Sequence, residues 1–127
     1  MSLEGIKWMY TEGTRNPGNI NPDNWVLDFD RMNRPGQQQV QLGLFYDYQT
    51  NVELYPQWHA FLSEYQPPTL ITWGTNDPIF IAAGAEAYRK HLDHIDFNLF
   101  DTGHFVLEEE GQQVIAKIRD FLQRNHL

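Results

Sequence analysis

Two stretches decide how this chain is read: Thr69-Leu70-Ile71-Thr72-Trp73-Gly74-Thr75-Asn76-Asp77-Pro78 and Ile95-Asp96-Phe97-Asn98-Leu99-Phe100-Asp101-Thr102-Gly103-His104. Each opens as a short strand. The first is announced by Pro67-Pro68 and closed by Gly74, the second closed by Asp101-Thr102-Gly103. Ala82 to Leu92 reads as a helix between them, and Val114, Ile115, Ile118, Phe121 and Leu122 form the apolar stripe of a closing helix. The order is βαβα, and a crossover of this length implies parallel pairing with a right-handed connection. Leu70-Ile71-Thr72-Trp73 is apolar on both faces, which suits an interior strand. Two parallel strands are marginal alone and leave exposed edges. The expected architecture is therefore part of a larger α/β sheet.

Upstream, residues 1–66 are rich in aromatics, Asn, Gln and Pro and show no strand alternation. Three helices are expected there. The first opens with Asn21 as N-cap and Pro22 in the first helical position, and runs to about Met32. Asn33-Arg34-Pro35-Gly36 is a turn. The second runs from about Gln37 to Tyr48. The third runs from about Val52 to Tyr65, with Pro56 tolerated in its first turns.

Composition bounds the function. Of 127 residues, 41% are hydrophobic, enough for a packed core, and the net charge is −8. An acidic chain with no Lys/Arg run offers no footprint for nucleic acid or an anionic membrane. Cysteine is absent, which excludes disulfides, thiol catalysis and Cys-based zinc sites. There is no signal-peptide h-region, membrane-length apolar run or Asn-x-Ser/Thr acceptor, so the cytoplasm is the expected location. No cofactor is expected.

Catalytic and binding groups of open parallel sheets gather outside the carboxyl ends of the strands. Neighbouring strands lie about 4.8 Å apart, so loops leaving both at one edge can bring Asp77 and His104 together. An Asp beside a His fixes its tautomer and stabilises the imidazolium formed in proton transfer. Taken singly, Asp77 before Pro78 reads more readily as the cap of an Asx-turn or helix, and His104 as a loop histidine with one backbone hydrogen bond. Their equivalent places after consecutive strands bring the catalytic reading level with these. Tyr46 and Tyr48 are candidates to face the site from the helical region, against simple packing with the hydroxyl at the rim. His91 and His94 read better as surface histidines than as a metal pair. Glu108-Glu109-Glu110 suits the dipole at the start of the last helix. Trp73 is a candidate for sheet core.

The stretches Gln66–Phe80 and Phe100-Asp101-Thr102-Gly103-His104-Phe105-Val106-Leu107-Glu108 resemble the segments holding the triad acid and the catalytic histidine in α/β-hydrolases of the epoxide hydrolase and haloalkane dehalogenase branch. Gly84-Ala85-Glu86-Ala87-Tyr88 and Ile118-Arg119-Asp120-Phe121-Leu122 are similar too, so the likeness covers residues 66–122. Asn21-Pro22-Asp23-Asn24-Trp25 and Tyr46-Asp47-Tyr48-Gln49-Thr50-Asn51 are less specifically similar to the cap inserted before those strands. The resemblance implies a partial α/β-hydrolase fold, with residues 1–66 as helical cap and 67–127 as the last part of the core. It further implies Asp77 as triad acid, His104 as catalytic histidine, and a small-molecule substrate hydrolysed through a covalent intermediate without cofactor or metal. The family's Gly-x-Ser-x-Gly elbow, or its Asp counterpart, does not occur; the only serines are Ser2 and Ser63. The 127 residues are expected to be the later portion of a longer hydrolase and inactive alone. The alternative is a non-catalytic module that self-associates through its unpaired sheet edge.

Overall fold

A computed structural model describes residues 2–127. The elements are α1 (Leu3–Thr11), a 3-10 turn (Pro17–Asn19), α2 (Asp23–Met32), α3 (Gln37–Asp47), α4 (Gln49–Tyr65), β1 (Thr69–Gly74), α5 (Ala82–Glu86), a second 3-10 turn (Ala87–Lys90), β2 (Ile95–Phe100) and α6 (Val106–Arg124). The expected βαβα order holds. β1 and β2 are parallel neighbours in register Thr69↔Ile95 through Gly74↔Phe100. Among the described residues the sheet has these two strands and no others.

Helix α1 was not expected from the sequence. Ser2 caps it, its hydroxyl accepting the Gly5 N–H at 3.0 Å, and Glu4 lies in its first turn. Ile6 and Tyr10, four residues apart on one face, are buried with Ile20, and Trp25, Phe29, Met32 and Phe105 pack around them. Burying one such side chain contributes about 1.5–3 kcal/mol, so three of them secure a helix whose propensity alone would not. The Tyr10 ring stacks on Phe105 with centroids 4.1 Å apart, and its hydroxyl donates to Asp28 at 2.7 Å. Burial, reinforced by the Asp28 carboxylate, pushes the Tyr10 phenol well above its usual range.

The other helices differ from expectation in detail. Helix α2 opens at Asp23, so Pro22 rather than Asn21 holds the N-cap position, and the Asn21 side chain accepts the Asp23 N–H at 3.0 Å from one residue further out. Helix α4 begins at Gln49 rather than Val52, so Pro56 lies in the helix interior and not in its first turns. Lacking an N–H, Pro56 leaves the Val52 carbonyl without its helical donor. The helix ends at Gln66, in a left-handed conformation (φ 44°). The Gln66 side-chain amide donates to the carbonyls of Ser63 and His91 and accepts from the Asp93 N–H, fastening the end of α4 to the segment before β2.

The single helix expected over 82–92 is instead five residues of α-helix and a 3-10 turn. α6 is kinked at Glu110 (φ −111°, ψ 21°). Of its expected stripe, Val114 is buried, Phe121 is half-buried, and Ile115, Ile118 and Leu122 are exposed. Val40, Leu42, Leu44 and Phe45 on α3 are exposed as well. No helix among the described residues is long and apolar enough to cross a membrane.

At the amino ends of the strands lies an open notch of about 770 Å³ whose lining includes Thr69, Asp96, Lys117 and Arg124. Arg124 bridges Asp96 and Asp120 there. The Asn98 side-chain amide and then Arg124 hold the Asp96 carboxyl below its usual range. A carboxyl depressed by folding contributes stability that is present above its unfolded pKa and lost as pH falls through the folded value. Asn98→Ala should therefore be less stable than the parent at neutral pH, by about 1 kcal/mol, the usual net worth of one part-buried hydrogen bond. The pH-dependent part of that difference should close as pH drops below the ordinary aspartate range, which denaturant melts between pH 7 and pH 2 would show.

Candidate active site at the carboxyl edge of the sheet

The candidate site lies at the opposite edge. β1 ends at Gly74 and β2 at Phe100, and the two departing loops interlock. The Thr75 N–H donates to the Phe100 carbonyl at 2.8 Å, and the Asn76 N–H to the Thr102 carbonyl at 3.1 Å. A β-carbon on Gly74 would overlap the Gly103 carbonyl oxygen, and one on Gly103 would overlap the Glu12 carbonyl oxygen. Three backbone segments thus lie in direct contact, which only bare glycine permits at these two positions. The segment after α1 forms the outer layer, and the Asn76 side chain bonds both to its Gly13 carbonyl and to Asp101.

This interlock places His104 Nδ1 2.9 Å from Asp77 Oδ2. Asp77 is buried at 6% exposure, and His104 is half-buried. A carboxylate only accepts, so the Nδ1–H is the donor and neutral His104 is held as its Nδ1–H tautomer. The other Asp77 oxygen, Oδ1, accepts the backbone N–H groups of Ile79 (2.8 Å) and Phe80 (2.9 Å). Turn cap and histidine partner, weighed as alternatives from the sequence, are both present, one on each oxygen. The rings of Phe80 (5.2 Å) and Phe105 (4.8 Å, edge-on) flank the imidazole. Trp73, a candidate core residue, is half-buried and donates its indole N–H to the Phe80 carbonyl at 2.8 Å, so it fixes the segment bearing Phe80.

The remaining candidates lie elsewhere. Tyr46 is 76% exposed. The hydroxyls of Tyr48 and Tyr55 are 3.1 Å apart, and this bond raises the Tyr55 phenol above its usual range. Among the described residues, neither Tyr46 nor Tyr48 has a hydrogen bond to Asp77 or His104. His91 stacks on His59 (4.3 Å) and meets the Ser63 hydroxyl at 3.1 Å, whereas His94 is exposed. No group of three potential metal ligands occurs among the described residues.

The acidic run has a role beyond the helix dipole. Glu109 accepts from the Thr102 hydroxyl (2.5 Å) and from the backbone N–H groups of Arg15 (3.2 Å) and Asn16 (2.6 Å). Glu110, 5% exposed, pairs with Arg15 and Gln113, and Glu108 accepts from Asn24. Sequence reasoning missed these ties, which join segments at opposite ends of the chain. Gly103→Ala should be destabilising by about 1–3 kcal/mol, the usual cost of overpacking. A melting temperature unchanged from the parent would contradict the three-layer backbone contact.

The model of the alpha/beta hydrolase fold family matches residues 3–111. An uncharacterised hydrolase of Saccharomyces cerevisiae is 40% identical over 116 residues, which are 91% of this chain and 40% of the relative. A cis-3-alkyl-4-alkyloxetan-2-one decarboxylase of Shewanella oneidensis is 38% identical over 56 residues, 43% of this chain and 18% of the relative. The enzyme of the same name from Xanthomonas campestris pv. campestris is 34% identical over 61 residues, 47% and 20% of the respective chains. The chain thus spans two fifths or less of the length of these curated relatives. No solved structure gives a significant match. With a family model covering most of its length and a two-stranded parallel sheet among helices, the chain belongs to the alpha/beta hydrolase fold family.

Proposed function

We propose that this chain supplies the acid and the base of a hydrolytic triad, with Asp77 orienting His104. The observation that carries the reading is the 2.9 Å bond between His104 Nδ1 and Asp77, which leaves Nε2 as the basic nitrogen. In such an arrangement a nucleophile attacks the substrate's electrophilic carbon and forms a covalent intermediate as that carbon's bond to halide, ester oxygen or ring oxygen breaks. His104 then takes a proton from water, which attacks that intermediate, and Asp77 stabilises the imidazolium. The sequence contains no Gly-x-Ser-x-Gly elbow, so the reading places the nucleophile outside these 127 residues. An Asp nucleophile suits epoxides and haloalkanes, and a Ser nucleophile suits esters. Two relatives are named for an oxetan-2-one, and such cyclic esters join the candidate substrates. Phe80 beside His104 favours a small apolar molecule. Residues 1–66 would act as the cap, with Tyr46 and Tyr48 as candidate substrate contacts, and a cysteine-free acidic chain suits the cytoplasm.

The test uses the complete protein and a panel of esters, epoxides and haloalkanes. His104→Ala and Asp77→Asn should each lower kcat by about 10³-fold or more with the fold intact. The 127-residue chain alone should give no turnover. Activity that survives His104→Ala would refute the assignment.

The exposed Ile115, Ile118 and Leu122 on α6, beside a sheet of only two strands, favour a second reading for the isolated chain. Its outer strand edges and apolar helix faces would be covered by another copy. The net charge of −8 opposes this, but is screened beyond about 8 Å at physiological salt. Sedimentation at low micromolar concentration should show a dimer or larger species. A compact monomer that unfolds cooperatively would eliminate this reading.

A further inference from the structure

We infer that Glu109 is a positioning residue for His104, acting through Thr102. The inference rests on the triad reading above and extends it to a carboxylate that touches neither Asp77 nor His104. Thr102 is fully buried two residues before His104, and its hydroxyl donates to Glu109 Oε2 at 2.5 Å. The same carboxylate receives the backbone N–H groups of Arg15 and Asn16. Those two residues continue the segment whose Glu12 carbonyl lies against Gly103. Glu109 therefore fastens the loop bearing His104 to the backbone layer beneath it and anchors both to α6. Beyond His104 the chain enters α6 at Val106, so the carboxylate braces the histidine loop from its far side.

Packing also holds the loop: Gly103 lies between the Gly74 backbone and the Glu12 carbonyl, and the Phe105 ring stacks on Tyr10. The Thr102 carbonyl accepts the Asn76 N–H and the Thr102 N–H donates to Phe100, but neither bond reaches past Thr102 towards His104. Gly103 is held by these backbone contacts and has no side chain of its own to anchor it, so a displacement of Thr102 passes through it to His104. Without Glu109 holding Thr102, such a displacement would loosen the 2.9 Å contact between His104 and Asp77.

The experiment is NMR of the complete protein with nitrogen-15-labelled histidine, the His104 signals being assigned by His104→Gln. In the parent, neutral His104 should be held as the Nδ1–H tautomer, with a downfield, slowly exchanging Nδ1 proton. Thr102→Val keeps the buried shape but removes the hydroxyl, and Glu109→Ala removes the acceptor. Each should speed exchange of that proton by roughly tenfold or more, the scale of one lost hydrogen bond, and admit the Nε2–H tautomer. Thr102→Ser should restore the parent signature, which a purely structural role for the methyl group would not predict. An unchanged proton and tautomer in folded Thr102→Val would overturn the role of Glu109 and leave the Asp77–His104 pair standing. A parent lacking the Nδ1–H tautomer would overturn the pair itself. Circular dichroism on each variant separates local loosening from unfolding; if Glu109→Ala does not fold, Thr102→Val decides.

Discussion

Where β2 ends, its chain crosses the end of β1 so closely that no side chain fits between them, and the segment after α1 lies as closely on the other side. Gly74 and Gly103 make this possible. Direct contact lets the Thr75 and Asn76 N–H groups reach the Phe100 and Thr102 carbonyls, and these bonds set the height at which each loop leaves the sheet. Asp77 and His104 come within hydrogen-bonding distance because both loops start from this common floor. Proteins place side chains accurately by fixing backbone first, and here the fixing is done by absence of side chains. The same floor explains why α1 belongs to the site's foundation: it delivers Glu12, Gly13, Arg15 and Asn16 to the layer on which the histidine loop rests.

Polar and apolar supports divide the remaining work. Tyr10 stacks on Phe105 from below, and Phe80, held by the Trp73 indole, stands beside His104. Phe80 is itself exposed, so these rings flank the imidazole without closing it off from solvent. The wide notch at the amino ends of the strands has the opposite character. Its charges pair by direct contact, Arg124 bridging Asp96 and Asp120, and among the described residues no nucleophile is hydrogen-bonded to a base there. Size alone would favour this notch as the candidate site, whereas the strand polarity and the Asp77–His104 bond favour the carboxyl edge.

The strands, their parallel order and the Asp77–His104 pair were legible because proline and glycine punctuate them and because loop chemistry follows strand direction. Pro67-Pro68, Gly74 and Asp101-Thr102-Gly103 bracket the strands almost to the residue. α1 was not legible: two buried residues on nine are too few for periodicity to register, and the worth of Ser2 as a cap depends on a helix already being there. The break after Glu86 was hidden by an Ala-rich stretch with good local propensity. Pro56 in the helix interior contradicts local preference outright. The task of Glu109 was invisible for a different reason. Its partners Arg15 and Asn16 lie near the start of the chain, and no spacing rule links residues that meet only after the sheet has formed.

The two oxygens of Asp77 have separate duties, one holding the Ile79 and Phe80 amides and the other the imidazole. This couples two traits that could otherwise vary independently. Removing Asp77 would take the acceptor from the Ile79 and Phe80 amides as well as from the imidazole. Asp77 is thus held in place by the geometry of its own turn as well as by its bond to His104, and a chain without the histidine would still have a use for the carboxylate.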